Sequence, residues 1–102
     1  MPIKGDLYKF TKENVDKAPD TAGVYALYDG EELIYYGRAL GTSETIRSRL
    51  QDHQAGRCGS CTKNATSYRR EVTDDPKARE VELLETFKML HGRLPRCNER
   101  VG

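Results

Sequence analysis

Five side chains stand out as able to do chemistry: Tyr25, Tyr35, Arg49, His53 and Glu80. A phenol relays protons and an arginine grips an oxyanion in a two-pronged fork. An imidazole changes charge near neutrality, and a carboxylate binds a cation. Arg49 and His53 are four residues apart, so on a helix they share a face, while Arg47 lies off it. Glu80 precedes Leu83 and Leu84 by three and four residues, so it shares the apolar face of its helix; Glu82 and Glu85 do not. A carboxylate on a core face is costly unless it is paired or bound to a metal. The positive end of the helix dipole also favours an anion there, so a purely structural role stays open. Plain alternatives exist for the others too. Tyr25, Tyr28, Tyr35 and Tyr36 suit a half-buried sheet, and Arg49 with His53 suits a solvated helix face.

Elements must position these groups. Pro19 to Gly23 is turn chemistry, Val24 to Tyr28 reads as a strand, and Asp29-Gly30 marks a hairpin. Glu31 to Tyr36 is the return strand, with Gly37 ending it. Strand alternation puts Tyr35 and Tyr36 on opposite faces, so only one of them can join Tyr25. It also puts Tyr25 with Leu27 and not with Tyr28. Gly41-Thr42-Ser43 precedes a helix for which Ser43, Glu44 and Thr45 offer caps, with Ile46, Leu50 and Ala55 on its apolar face. Gly56 to Asn64 reads as a polar loop, and Ala65 to Thr73 as a third strand. Asp74-Asp75-Pro76 opens a helix over Lys77 to His91, which buries Leu83, Leu84, Phe87 and Leu90 and stops at Gly92. Lys4 to Asp16 is a lead-in with a helical turn from Thr11. The order hairpin, helix, strand, helix predicts an α/β or α+β fold with a small, largely antiparallel sheet. Residues 1–102 make one domain.

Composition narrows the function classes. With 36% apolar residues, no Trp and only short apolar runs, no segment suits a bilayer, and residues 1–6 lack a signal-peptide core. The expectation is a soluble, cytoplasmic protein without a membrane partner. A net charge of +1 excludes a global basic field, so any nucleic acid must be held by a local patch. Three cysteines are an odd, sparse set that does not suggest a disulfide framework. Cys58-Gly-Ser-Cys61 could begin a zinc site completed by His53 or Cys97. Structural zinc wants four ligands, usually two such pairs, and only one pair is present. Two incidental thiols in a loop are the expectation.

Taken in order, the motifs resemble one family. Gly23-Val24-Tyr25, followed by Tyr35-Tyr36-Gly37, is similar to the paired motif of the GIY-YIG nuclease superfamily. Arg49-Leu50-Gln51-Asp52-His53 resembles its Arg-x-x-x-His helix. Glu80 with Leu83 and Leu84 resembles its Glu helix, and Pro95-Arg96-Cys97-Asn98 its closing Pro-x-x-Asn. The resemblance spans Thr21 to Asn98 and implies a three-stranded antiparallel sheet flanked by helices. It implies a DNA endonuclease using one divalent ion, Mg²⁺ or Mn²⁺, on duplex or branched DNA. By position, Tyr25 would be the base or water orienter, and Tyr35 would help hold that site. Arg49 would clamp the phosphate, His53 would support proton transfer, and Glu80 would hold the metal, with Glu82 as the alternative register. Gly23, Gly37 and Asn98 would be supporting residues. A tyrosine base needs a nearby cation to lower its pKa from about 10, and Arg38 is a candidate. Such a base predicts a rate that rises towards alkaline pH. One small domain leaves no room for a separate DNA-reading module, so targeting would come from a homodimer or a partner protein. A non-catalytic nucleic-acid-binding module on the same fold is the alternative.

Overall fold

In chain order the elements are β1 (Tyr8–Lys9), α1 (Lys12–Asp16), β2 (Gly23–Asp29), β3 (Glu32–Ala39), α2 (Ile46–Gln54), α3 (Ser60–Lys63), β4 (Ser67–Val72) and α4 (Pro76–His91). They come from a computed structural model that describes residues 2–98; Met1 and 99–102 of the expected domain lie outside it. The strands form one antiparallel sheet in the order β1-β4-β2-β3. That is four strands where three were expected. The extra one, β1, pairs Tyr8 with Tyr68 and Lys9 with Ser67. Two residues are too few to show an alternating pattern. What holds them is tertiary: Tyr8 stacks on Tyr68 at 5.4 Å, and the Arg70 guanidinium lies 4.6 Å over the Tyr8 ring.

Asp29-Gly30 does turn β2 back into β3, but β3 does not end at Gly37. It continues to Ala39, and Gly37 sits directly opposite Tyr25. The glycine is there for space: the Tyr25 ring occupies the volume that a Cβ on Gly37 would need. Gly23 is hemmed in likewise, by the Glu71 carbonyl and the Ile46 side chain. Gly37→Ala is therefore expected to cost about 1–3 kcal/mol by overpacking. A denaturant midpoint should fall accordingly; an unchanged midpoint would mean that the Tyr25 ring moves aside freely.

Alternation divides the sheet into two faces as expected. Tyr25, Leu27 and Tyr68 pack with Val15 next to Ala18 and with Ile46 and Leu50 of α2. Val24, Ala26 and Tyr36 pack with Ile3 and with Leu83 and Leu84 of α4. The register slips between Leu27 and Tyr28, which adds Ile34 to the first core. Helix α2 starts at a reciprocal cap between Thr45 and Ser48, and buries Ile46, Leu50 and His53 at helical spacing. Helix α4 starts with Asp75 capping Ala78 and Pro76 in its first turn, and it ends at Gly92. Its buried face is Glu80, Leu83 and Leu84. Leu90, expected in that stripe, is 74% exposed. Phe87 closes the contact against Tyr36 with rings 6.5 Å apart and leaves Leu90 outside it.

The segment expected as a polar loop holds the short helix α3. Its Cys61 is bonded to Cys97, with Cα atoms 5.7 Å apart. This corrects the expectation of incidental thiols and removes Cys61 as a zinc ligand; Cys58 is the free thiol among the described residues. The pairing arises because the chain beyond α4 returns along β3. The Cys97 amide donates to the Ile34 carbonyl at 2.8 Å. The Asn98 side chain accepts from Tyr36 N–H and donates to Tyr36 C=O, both at 3.0 Å. Asn98 so covers an otherwise open sheet edge. Among the described residues no helix is long and apolar enough to cross a membrane.

Candidate active site

Tyr25 projects from β2 into the first core and is fully buried. Its hydroxyl lies 2.8 Å from His53 Nε2, and His53 Nδ1 lies 2.7 Å from Thr62 Oγ1. His53 is itself fully buried. Burial, then the positive charge of Arg49, lowers its pKa to about 4. The ring is therefore neutral at ordinary pH, with one donor and one acceptor nitrogen. It links the two hydroxyls: one donates to the ring and the other accepts from it. Thr62 was not among the residues singled out from the sequence, and nothing local marks it. It reaches His53 only because α3 folds against α2.

Tyr35 joins this pair from β3, half-buried, with its ring 6.2 Å from Tyr25 and 4.9 Å from His53. Tyr36 points to the other core, as alternation requires. Burial pushes the Tyr25 phenol well above its usual pKa; Tyr35 pushes it further, and Arg49 opposes the rise. A populated phenolate is thus not what this environment favours. Arg38 does not serve Tyr25 as expected. It sits opposite Val24, on the other face, and its Nη1 donates to Glu80 Oε1 at 2.9 Å.

Arg49 is the cation on the Tyr25 side. Its side chain is 25% exposed; Nη1 lies 3.4 Å from Asp52 and Nε 3.7 Å from Glu44. That Nε is buried and makes no hydrogen bond among the described residues, Glu44 lying just beyond hydrogen-bond distance. Such a donor is costly unless something accepts from it. Arg47 turns away and donates to the Ala18 carbonyl at 2.9 Å.

Glu80 is 7% exposed. Burial raises its pKa, while Arg38 first and then Arg49 pull it back. The Glu80 charge in turn raises Tyr35. Glu80 and Arg38 lie on the α4 face of the edge strand β3, and Tyr35 and Arg49 lie on its α2 face. Glu82 is elsewhere, exposed and paired with Arg79 at 2.6 Å. Of these two carboxylates, Glu80 is therefore the buried one, held by Arg38 of β3.

Among the described residues no three His, Cys, Asp or Glu side chains gather as a metal cage. A lone carboxylate does not suit zinc. It does suit a hard ion such as Mg²⁺, which keeps several waters and takes its other ligands from a substrate phosphate. The partly desolvated Glu80 carboxylate is a suitable donor for it. Compared with protein-family models, curated proteins and solved structures, the chain matches none of them.

Proposed function

We propose that the protein is a metal-dependent DNA endonuclease of the GIY-YIG kind, hydrolysing phosphodiester bonds in duplex or branched DNA. The observation that carries this reading is the buried Tyr25–His53 hydrogen bond with the Tyr35 ring against it and Arg49 one turn before His53 on α2, together with the buried Glu80 paired to Arg38 on the other face of β3. Phosphodiester hydrolysis needs charge neutralisation at the phosphate, a held water and a proton acceptor. Arg49 would offer its guanidinium fork to the phosphate oxygens in exchange for its long contacts to Glu44 and Asp52. Glu80 would hold one Mg²⁺ or Mn²⁺, which would supply a second positive charge and acidify a water. His53 is the neutral acceptor, reached through the Tyr25 hydroxyl. The water's proton passes to the Tyr25 oxygen as the Tyr25 proton passes to His53 Nε2, so no free phenolate forms. Targeting would come from a second copy or a partner protein.

The direct test is incubation of the purified chain with supercoiled plasmid and with branched DNA, in Mg²⁺, in Mn²⁺ and in EDTA. Cleavage that needs the metal supports the reading; binding without cleavage under every condition leaves only a nucleic-acid-binding module. Tyr25→Phe keeps the ring that fills the space at Gly37 and removes the link to His53. It should fold normally and lose about 10²–10⁴ in rate, the usual worth of a positioned acid–base group. Tyr35→Phe divides the routes: an equal loss means that both phenols carry the proton, and no loss means that Tyr25 takes it directly. The pH profile follows from the neutral acceptor. Rate should fall in acid, as Glu80 takes up a proton and then as His53 does at about 4. It should be level above that range, in place of the alkaline rise that a phenolate base predicts. A rate climbing steadily to pH 10 would restore the phenolate.

A further inference from the structure

Helix α3 is four residues long, and its first residue, Ser60, follows Gly59, which provides no side-chain cap. So short a helix does not hold itself. Yet its Thr62, 2% exposed, supplies the hydroxyl at His53 Nδ1. The neighbouring Cys61 is bonded to Cys97. Cys97 and Asn98 are fastened to β3 through Ile34 and Tyr36. A continuous set of contacts therefore runs from the edge strand, through the disulfide and α3, to Thr62, His53 and Tyr25. The partner of one imidazole nitrogen decides which tautomer the ring adopts.

We propose that the Cys61–Cys97 disulfide is a redox latch on the site, holding Thr62 as the residue that positions His53. Cys61 is exposed, so a dithiol reductant can reach it. One thiolate of the reductant attacks the Cys61 sulfur and the S–S bond breaks. Cys97 leaves as a thiolate and takes a proton. The second thiol of the reductant then closes on the mixed disulfide and releases Cys61 as a thiol. Two electrons pass from the dithiol to the bridge, and the reductant leaves as a cyclic disulfide. With the tether gone, α3 is free to leave α2, and Thr62 leaves His53. The effect on cleavage rests on the proposed role of the Tyr25–His53 pair; the effect on His53 does not.

The test uses the full chain in four forms: as purified without reductant, under excess dithiothreitol, as Thr62→Val and as Thr62→Ser. The His53 ring nitrogens are followed by NMR without DNA, and cleavage and DNA binding are measured on the same samples. Circular dichroism establishes that each form is folded. In the purified chain and in Thr62→Ser, His53 should show one tautomer and titrate at about 4. In the reduced chain the single tautomer should be lost, and the titration should move up towards the value of a solvated imidazole. Thr62→Val keeps the bridge and the turn, and it too should lose the single tautomer. Cleavage in these last two forms should drop by about tenfold or more, a share of the ~10²–10⁴ that a positioned acid–base group supplies, with DNA affinity unchanged. A reduced, folded chain with unaltered His53 signals overturns the latch, and so does mass analysis that finds no bridge in the purified chain. Unaltered signals in Thr62→Val overturn the role of Thr62. If no form cleaves DNA, the nuclease reading fails, while the NMR comparison still decides the latch.

Discussion

Glu80→Gln should abolish metal-dependent cleavage and leave the protein as stable as before, or more so. The sign follows from burial. The folded state raises the Glu80 pKa, so it disfavours the anion relative to the unfolded chain. That cost is present once pH exceeds the folded pKa, and it is relieved as pH falls and the group takes a proton. Gln removes the charge while keeping an oxygen for Arg38 at the same place. A residue that lowers stability when ionised, in a helix face otherwise made of Leu83 and Leu84, is the pattern of a group retained for function. If Glu80 holds the ion as proposed, its loss should cost about 10³-fold or more, since a bound ion provides several kcal/mol of charge stabilisation. The measurements are plasmid cleavage across a Mg²⁺ titration, DNA affinity by fluorescence anisotropy and a thermal melt. Glu82→Ala is the control. It loses an exposed pair with Arg79, which is worth little, and it should cleave normally. An inactive Glu82→Ala beside an active Glu80→Gln would move the metal to the other register.

Arg49→Ala should lower turnover by about 10²–10³, the usual loss when one preorganised donor to a developing charge is removed. Arg49→Lys should not restore it. An ammonium has neither the planar fork nor a donor at the place of Nε, which is buried and makes no hydrogen bond among the described residues. The losses should fall mainly on turnover, with the salt dependence of DNA binding changed by one contact at most. Arg47→Ala should have a small effect on cleavage, because that side chain is committed to the Ala18 carbonyl and lies 3.8 Å from Asp20. Equal losses at Arg47 and Arg49 would point to a diffuse basic surface in place of a single clamp.

Much of this arrangement is legible one element at a time. The hairpin at Asp29-Gly30, the separation of Tyr35 from Tyr36 and the shared face of Arg49 and His53 follow from the two-residue period of a strand and the 3.6-residue turn of a helix. The burial of Glu80 with Leu83 and Leu84 follows from the same helical period, and the ends of α4 from Asp75, Pro76 and Gly92. Three other expectations missed for reasons that lie outside any single element. Gly37 looked like a strand terminator, yet it is a space left for a ring on the neighbouring strand. Arg38 looked like a partner for Tyr25, yet the pairing of β2 with β3 sets it opposite Val24 and Glu80 of α4 takes it. Leu90 fits the apolar period of α4, yet Phe87 is the last side chain of that stripe to meet the sheet.

What the sequence determined by itself is the hairpin, the third strand, the two longer helices and the faces on which Tyr25, Tyr35, Arg49, His53 and Glu80 stand. These depend on backbone geometry over a few residues, which side-chain type and spacing encode directly. Tertiary structure alone decided the fourth strand, the bridge from Cys61 to Cys97, the contact of Thr62 with His53 and the pairing of Glu80 with Arg38. Each joins segments far apart in the chain, and its partners are chosen by sheet order and by the path of the loops. It also decided the protonation of the site. The pKa of Tyr25 or His53 depends on the water that is excluded and the charges that arrive, and both come from neighbours that only folding supplies.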